Sequence, residues 1–457
     1  MDCLRALFTW LDARSHTVRR AEARATRAFA PLMAVAMGAS GMACAAQRAD
    51  VAAQPPADPA RAESLVTLAN TAMTAKRWDE TATLLREAAL SAPSHPSILW
   101  YLGIAELTRG DTSAAVDALG ALARSGASPS AVRDTVLRPL VSRPGFDAVR
   151  RMLDANAQPV IASDTAYLIA DTDLVPESIA LDPVTGRLHA GSLARGAIVS
   201  VAADGAVKDF GALARRGVTQ VLGMKIDSAS RTLWANVKLR QPTGAAALLR
   251  IRLDDGEVLG SYEVSGPGEQ THLLNDLDFG PRGEVYVTDS EGGAVHRLEP
   301  GAAALQPLTT TPAMRLRYPN GIAVSPDGTR LFVAHVWGIA VVDLATGRQR
   351  PLAAAPDVSL CCIDGMYAIG DALLVVQPLL DVERVSLISL RGDSAVASRP
   401  LERQHPAYEF PTTGVVVGRD FLYVASSQLR RVAPDGTLRP APVPKRSLVL
   451  RLPLPSP

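Results

Sequence analysis

Six segments of this chain share one pattern, an alternating apolar run, a turn signal and a second apolar run. They are VPESIALDPVTGRLHAGS, TQVLGMKIDSASRTLWAN, LLNDLDFGPRGEVYVTDS, YPNGIAVSPDGTRLFVAH, CCIDGMYAIGDALLVVQ and FPTTGVVVGRDFLYVASS. Apolar runs of this length, separated by Gly- and Asp-containing turns, are typical of short antiparallel strands. Aligned on their first run, the segments repeat every 44 to 53 residues, which is the period of a propeller blade. The sequence therefore predicts a mainly β protein built as a six-bladed β-propeller.

One position of the repeat lies just ahead of the first apolar run, and we call it the column. The alignment places Glu177, Leu222, Asn275, Asn320, Asp364 and Thr413 in this column. Because blades are arranged radially, equivalent positions on their inner strands converge on the central axis. The carboxylate and carboxamide members offer hard oxygen ligands, which suit Ca²⁺ or Mg²⁺ better than a thiolate-preferring metal. A single Asn-Gly or Asp-Gly pair would be explained as a turn, but four polar members in register predict a metal site.

Composition limits the remaining interpretations. The 457 residues suit two folded units plus a leader, and a formal net charge of +1 gives no global field that would favour nucleic acid. The four cysteines, Cys3, Cys44, Cys361 and Cys362, form neither a disulfide scaffold nor a CxxC zinc motif. The adjacent Cys361 and Cys362 could form a vicinal disulfide, but we favour two neighbouring buried thiols.

The N-terminal residues 1–47 predict an export signal or anchor. Four arginines between positions 19 and 27 precede the apolar stretch FAPLMAVAMGASGMACAA, which ends in small residues. Cys44 lies in a box that loosely resembles a lipoprotein signal, so lipid anchoring, soluble export and a retained membrane anchor remain alternatives. We expect an exported protein, periplasmic or secreted. Residues 48–61 are rich in Pro and Ala and predict a linker.

Residues 62–155 show helical periodicity. Leu65, Leu68 and Leu85 recur 34 residues later as Leu99, Leu102 and Leu119. A helical period of 34 residues indicates tetratricopeptide repeats, and the second copy resembles that family. Two such repeats are marginally stable alone, so a third helical pair over about 129–155 is expected to cap them. This module is expected to bind a protein partner or to serve as a spacer packed on the propeller.

The segments LLNDLDFGPRGEVYVTDS, YPNGIAVSPDGTRLFVAH and CCIDGMYAIGD resemble the regucalcin/gluconolactonase family, which is related more distantly to paraoxonases and strictosidine synthase. The resemblance covers residues 160–457 and implies a six-bladed propeller with one divalent cation at its centre. It implies that Glu177, Asn275, Asn320 and Asp364 are the cation ligands. The first blade departs from the family pattern, because it reads Pro-Glu-Ser where the family more often has Glu-Gly-Pro.

The function expected from these residues is divalent-metal-dependent hydrolysis of a lactone or a related ester. The cation, Ca²⁺ first and Mg²⁺, Mn²⁺ or Zn²⁺ as alternatives, would polarise the substrate carbonyl. Asp364 would take a proton from the attacking water. Asn275 and Asp276 would orient water or substrate, and His272 and His335 are further candidates for substrate binding.

Other sites are not expected. The remaining histidines lack HxH or HExxH spacing, which favours solvent or turn roles. In the paraoxonase relatives an Asn-Asp pair serves a second calcium, but Ser178 stands where its acidic partner would be, so a second metal is not expected. The sequence contains no G-x-S-x-G elbow, phosphate loop or GxGxxG turn that would indicate a serine hydrolase or an organic cofactor. The competing function is a non-catalytic, metal-stabilised propeller that acts as a ligand- or protein-binding scaffold in the cell envelope.

Overall fold

The structure is a computed structural model that describes residues 58–129, 133–242, 244–265, 271–313, 316–377, 382–433, 436–440 and 445–455. The export segment predicted for residues 1–47 lies outside these ranges, as does most of the predicted linker. Within them, no helix is both long and apolar enough to cross a membrane.

The first part of the described chain is helical. Its helices are α1 (Pro59–Thr74), α2 (Trp78–Ser91), α3 (Pro96–Arg109), α4 (Thr112–Arg124), α5 (Arg133–Val136) and α6 (Phe146–Asn156), with a 3-10 turn at Arg138–Leu140. Helix α1 starts inside the segment predicted as a linker. Its start is fixed because the Asp58 side chain accepts the amide of Arg61 (3.0 Å), which satisfies one of the free N–H groups of the first turn.

Helices α3 and α4 pack closely at a glycine. A Cβ atom added to Gly103 would lie 2.9 Å from Leu119 Cγ, so only a glycine allows this approach. Gly110, with φ of +95°, ends α3 in the left-handed conformation. The two copies differ at the second repeated leucine, since Leu102 is buried whereas Leu68 is 55% exposed. The tetratricopeptide assignment therefore stays a prediction.

Within the described residues, twenty-five strands follow the helices. The first three blades contain β2 (Pro176–Leu181), β3 (Leu188–Ser192), β4 (Ile198–Val201), β5 (Val207–Phe210), β6 (Val218–Asp227), β7 (Thr232–Leu239), β8 (Ala246–Arg252), β9 (Val258–Val264), β10 (Leu274–Phe279), β11 (Val285–Asp289), β12 (Ala294–Leu298) and β13 (Gln306–Pro307). The last three contain β14 (Ile322–Val324), β15 (Arg330–His335), β16 (Gly338–Asp343), β17 (Gln349–Pro351), β18 (Ala353–Ala354), β19 (Met366–Ile369), β20 (Ala372–Gln377), β21 (Arg384–Arg391), β22 (Ser394–Arg403), β23 (Gly414–Val417), β24 (Asp420–Val424), β25 (Ser447–Pro453) and β1 (Asp164–Ile169).

These strands form six sheets, and the fold is a six-bladed β-propeller preceded by a small helical region, as the sequence predicted. Each of the first four blades is an antiparallel meander in chain order, from β2–β5 to β14–β17. The fifth blade runs β19-β20-β21-β22 and carries β18 parallel to β22 at its outer edge. The sixth blade runs β23-β24-β25-β1, so the first strand of the propeller pairs with the last and closes the ring.

The hydrophobic core lies between blades rather than within them. Phe210 of the first blade, for example, shares a cluster with Leu249 of the second. Val424 of the sixth blade shares one with Ile179 of the first. Clusters of this kind occupy all six junctions. Each sheet therefore buries both faces, which explains why its strands are rich in apolar residues.

The helices pack on the end of the propeller where the inner strands begin, which we call the mouth face. The joining contacts include Arg384 Nη1 to Ser125 O (3.2 Å), Arg124 Nε to Asp357 Oδ1 (3.1 Å) and the ring of His95 to the ring of Trp337 (centroids 5.3 Å apart). Their propeller partners all lie in mouth-face loops of the fourth and fifth blades or at the start of β21. The helical region therefore borders the central funnel on this side.

One of these contacts predicts a pH dependence of stability. Burial lowers the pKa of His95 from 6.5 to about 4. Because the folded-state pKa lies below the unfolded value, this contribution is complete above pH 6.5 and is lost as the pH falls towards 4. We expect the protein to lose about 2 kcal/mol of unfolding free energy through this group between pH 7.5 and pH 5. Denaturant unfolding of the wild type and of His95→Gln at both pH values measures this difference, and identical pH dependences would contradict it.

Candidate functional site

Each inner strand starts with a β-bulge at the mouth face. In the first three blades the pairing register shifts between Pro176 and Ser178, between Val221 and Met224, and between Leu274 and Leu277. In the fourth blade the Asn320 amide donates to Ala334 O, and the Ala334 amide donates to Gly321 O, both at 2.9 Å. Two residues of the inner strand thus face one residue of the next strand. A bulge re-aims the side chain of its extra residue, and here the first bulge residue is the column residue.

In the sixth blade the hydrogen bonds identify Thr412, rather than Thr413, as the column residue. The Thr412 amide donates to Val424 O, and the Val424 amide donates to Thr413 O, both at 3.1 Å. Thr412 therefore pairs as the column residues of the fourth and fifth blades do, and the alignment that placed Thr413 there was wrong by one residue. Both threonine hydroxyls donate to Glu177 O, at 2.7 and 3.2 Å.

The backbone carbonyl of a column residue is a contact point for the preceding blade. Side chains donate to it from Ser178 to Leu222 O, from Asn236 to Asn275 O (3.1 Å) and from Thr288 to Asn320 O (2.8 Å). At the fourth junction a glycine takes the place of a donor. A Cβ atom on Gly321 would lie only 2.4 Å from Asp364 O. These contacts bring neighbouring inner strands together and direct their column side chains towards the axis.

Four of the residues predicted for the site lie where the inner strands begin, and two of them have a buried oxygen without a donor. Asn320 Nδ2 donates to Asp364 Oδ1 (2.6 Å), and Asn275 Nδ2 donates to Ser290 Oγ (3.0 Å). Both carboxamides thus donate through their nitrogen atoms. Among the residues that the structure describes, Glu177 Oε2 and Asn320 Oδ1 are buried and have no hydrogen-bond donor. Buried acceptors without a donor are costly, and a cation would satisfy them.

Three carboxyl groups share this region. Burial, together with the charges of Asp364 and Asp276, raises the pKa of Glu177 well above its usual value. Burial also raises the pKa of Asp276 to about 7, against the opposing effects of the Leu277 amide and Lys225. The pKa of Asp364 rises to about 6, again through burial and against the hydrogen bond from Asn320. Asp276, predicted to orient water or substrate, is thus a third acidic member of the cluster. A divalent cation would relieve the repulsion among the three carboxylates.

Tyr367 is a member of the site that the sequence did not predict. Its hydroxyl donates to Gly414 O (2.9 Å) and accepts the Gly414 amide (2.6 Å). Burial raises its pKa well above the usual value, and the charges of Asp276, Glu177 and Asp364 raise it further. The phenol therefore lies beside all three carboxyl groups. The sequence feature that could have identified Tyr367 is its position three residues after the column residue Asp364.

In the second and third blades, the residues three positions after the column residue form an ion pair with each other. Lys225 and Asp278 each lie three residues after a column residue, and the Lys225 ammonium bonds to Asp278 Oδ1. Asp278 Oδ2 also accepts the Val324 amide (2.8 Å). Because Lys225 already has a carboxylate partner, its charge offsets the negative potential of the three axial carboxyl groups only in part.

Apolar side chains pack beside the site on the mouth face, and we call them the mouth cluster. Its buried members are Val175, Leu193, Leu222 and Leu273, and Ala194, Tyr318, Leu429, Val432 and Leu438 pack against them. Leu222, the apolar member of the column, thus joins this cluster. Glu177, Asn275 and Asp364 are only 5 to 6% exposed, whereas Asn320 is half-buried. The site is therefore largely shielded from water.

The two histidines predicted to bind substrate make their described hydrogen bonds elsewhere. His335 Nδ1 accepts the Trp337 amide (3.3 Å), and burial lowers the His335 pKa to about 4, so the ring is neutral at pH 7. His272 Nδ1 bonds to Asp289 (2.6 Å) in the third blade. The described contacts bring neither ring to the axial carboxyl groups, and their substrate role stays a prediction.

Solvent or turn roles were expected for the other histidines, and this was wrong for two of them. His189 and His296 are buried, and His296 Nε2 lies 3.3 Å from Asp289 Oδ2. Spacing could not reveal this, because His272, Asp289 and His296 come from a loop and two strands. His405 does have a turn role, since its Nδ1 accepts the Ala407 amide (3.0 Å).

The two adjacent cysteines are not joined by a disulfide, and Cys361 is buried whereas Cys362 is half-buried. The sequence had favoured two buried thiols in a strand, which is wrong for Cys362, because it is only half-buried, and for the strand, because both residues lie in a loop. They lie directly before Asp364 on the loop that enters the fifth blade.

No protein-family model matches this sequence, and no curated protein matches it. Solved structures with a similar fold include the PQQ-bound aldose sugar dehydrogenase of Streptomyces coelicolor, which is 17% identical with a TM-score of 0.46 and covers 65% of this chain and 98% of its own. A gluconolactonase from Xanthomonas campestris is 18% identical with a TM-score of 0.43, over 65% and 98% of the two chains. Regucalcin from Agrobacterium tumefaciens, a calcium-binding protein, is 14% identical with a TM-score of 0.43, over 63% and 93%. At these identities the similarities carry no information on activity.

The clustered carboxyl groups predict competition between protons and a cation. The pKa values of Asp364 and Asp276 are raised in the folded state, so without a cation the fold is more stable when these groups are protonated. Their contribution to the free energy of unfolding is lost as the pH rises from about 4 to about 7. Ca²⁺ should therefore raise the melting temperature more at pH 8 than at pH 5. At about 100 times its Kd the ion should add about 2.7 kcal/mol at pH 8.

Thermal melts with and without Ca²⁺ at both pH values measure this effect. Asp364→Asn should reduce the Ca²⁺-induced shift, whereas Asp204→Asn, in an exposed hairpin turn, should leave it unchanged. A melting temperature that does not respond to any divalent cation at pH 8 would refute the prediction.

Proposed function

We propose that this protein is a divalent-cation-dependent hydrolase that acts on a lactone or a related ester at the propeller axis. The observation that carries the proposal is the pair of buried oxygens, Glu177 Oε2 and Asn320 Oδ1, that have no donor within the described chain. They lie in the region that holds three carboxyl groups.

The residues present fit a hard cation. Glu177, Asn275, Asn320 and Asp364 would hold it through carboxylate and carboxamide oxygens, which Ca²⁺ prefers, and Mg²⁺, Mn²⁺ or Zn²⁺ are alternatives. When bound, such an ion polarises a carbonyl and stabilises the negative charge that develops on its oxygen. Leu222 offers no ligand from the second blade, which leaves one side of the axis to substrate and water.

The proton transfers fall to carboxyl groups of this chain. Asp364 Oδ1 is fixed by Asn320, so its other oxygen is placed to accept a proton from a water molecule that attacks the carbonyl carbon. As the bond between that carbon and the ester oxygen breaks, the same proton passes to the leaving oxygen. Asp276, the third carboxyl group of this cluster, would orient the substrate or the attacking water.

The apolar mouth cluster would affect which substrates reach the carboxyl groups at the axis. Leu429 and Val432 of this cluster are only half-buried, so they present apolar surface at the mouth face. A substrate that approaches beside them would gain by burying an apolar substituent. The proposal therefore favours lactones or esters with an apolar portion.

Burial of the site supports a second candidate function. In this alternative the propeller is not catalytic, and the ion stabilises the fold. Glu177, Asn275 and Asp364 are at most 6% exposed, which suits an ion that remains bound permanently. In that case the helical region and the mouth face would present a binding surface. A protein partner of the helical region and export of the chain to the periplasm or beyond, with or without a lipid on Cys44, stay predictions from the sequence.

Hydrolysis assays on the purified full-length chain separate the two functions. We expect the wild type with Ca²⁺ to hydrolyse members of a panel of lactones and aryl esters that differ in apolar substituents. Asp364→Asn should lose at least about 100-fold in kcat because it removes the base, and Asn320→Ala should lose both activity and cation affinity. Asp204→Asn is the matched surface control and should retain full activity.

The outcomes are distinct. Absence of hydrolysis across the panel, combined with melting that depends on Ca²⁺, would overturn the enzyme and support the scaffold. Unchanged activity in Asp364→Asn would exclude this residue as the base even if the protein is a hydrolase.

A further inference from the structure

A second polar cluster lies in the third blade, away from the column. It consists of His272 in the loop before β10, Asp289 at the end of β11 and His296 on β12. Asp289 Oδ2 lies 2.6 Å from His272 Nδ1 and 3.3 Å from His296 Nε2. All three residues are at most 6% exposed. Three ligand atoms, one from each residue, lie within 4.8 Å of one another.

The carboxylate of this cluster is ionised and fixed in place. Asp289 Oδ1 accepts the amides of Leu273 (3.0 Å) and Gly292 (2.9 Å). Burial alone would raise the pKa of Asp289, but the bonds from His296, His272 and the two amides outweigh it and lower the pKa to about 2. One carboxylate oxygen is thus saturated by the backbone, and the other faces two imidazole rings.

The imidazole rings are satisfied on one side only. Within the described chain, His272 Nε2 and His296 Nδ1 are buried without a hydrogen-bond partner. Apolar side chains would fill this buried space without leaving two ring nitrogens unpaired. Instead, both turn a nitrogen towards the same carboxylate oxygen, the arrangement that a metal ion with two histidine ligands and one carboxylate ligand requires.

We propose that His272, Asp289 and His296 bind a transition-metal ion of the Zn²⁺ class, separate from the axial cation. Two imidazole nitrogens and one carboxylate oxygen suit Zn²⁺ rather than Ca²⁺. Metal–ligand bonds of about 2.0–2.1 Å in a tetrahedral site place neighbouring ligand atoms about 3.3 Å apart. The His296 separation already fits, and the His272 separation would open by less than about 1 Å. The ion would take the place of the two hydrogen bonds to Asp289, and each ring would then carry its proton on the nitrogen that faces away from the ion.

The ion would also stabilise the position of Asn275 in the axial site. Ser290, next to Asp289, accepts the Asn275 side-chain amide (3.0 Å), and its own amide donates to Leu273 O (2.8 Å). An ion that ties His272 to Asp289 therefore fixes both chain segments that place Asn275. This role does not depend on the proposed hydrolase activity.

Titration of the chelator-treated, full-length protein with Co²⁺ or Zn²⁺ tests the proposal. We expect calorimetry to show a Zn²⁺ site and Co²⁺ to give the visible absorption of a tetrahedral N/O site. His272→Gln and His296→Gln should weaken Zn²⁺ binding at least about 10-fold and abolish the cobalt spectrum. His189→Gln, a buried histidine of the first blade, is the matched control and should keep both.

Two further variants distinguish the site from the axial one and from misfolding. Asn320→Ala should keep the cobalt spectrum while it weakens Ca²⁺ binding. His296→Cys should fold, bind Co²⁺ and add a sulfur-to-cobalt absorption band, since cysteine retains a ligand at this position. A wild type without tetrahedral cobalt absorption would overturn the proposal. The proposal would also be overturned if the protein bound a single metal ion at the axial site only. In that case Asn320→Ala would lose the bound metal and His272→Gln would keep it.

Discussion

The close approach of neighbouring inner strands is the constraint on which the rest of the structure depends. At each junction the preceding blade either donates a side-chain hydrogen bond to a column carbonyl, as Thr288 does to Asn320 O, or leaves room with a glycine such as Gly321. The bulge that exposes this carbonyl also turns the column side chain inwards. Packing between blades and concentration of negative charge at the axis therefore have one cause. The same contacts bring buried carboxyl groups together, which is favourable only if protons or a cation offset their repulsion.

The fold and most of the column were predictable because they follow from local pattern. The hairpin repeat determined the number of blades, and Glu177, Asn275, Asn320 and Asp364 lie at one offset within it. The sixth blade shows the limit of this approach. Thr412, not Thr413, pairs as a column residue, since the position of a bulge depends on hydrogen bonds that an alignment of apolar runs cannot detect.

Contacts between distant elements were not predictable. Tyr367 lies beside three carboxyl groups that come from three different blades, and its own strand shows only an aromatic residue in an apolar run. His272 and His296 seemed unrelated in sequence, yet both bond to Asp289 because a loop and two strands end together. Residues that lack motif spacing can thus form a site when the ends of strands bring them together, so the absence of HxH or HExxH says little in a propeller.

The pairing of β1 with β25 has a consequence for how the protein is made. The helices and the first propeller strand leave the ribosome early, but the partner of β1 lies within the last strand that the structure describes. The ring can therefore close only after β25 has been synthesised, and until then β1 has an unpaired edge. An unpaired edge invites association with other chains. Until β25 has been synthesised, the nascent protein should for this reason depend on chaperones or on rapid docking of its helices.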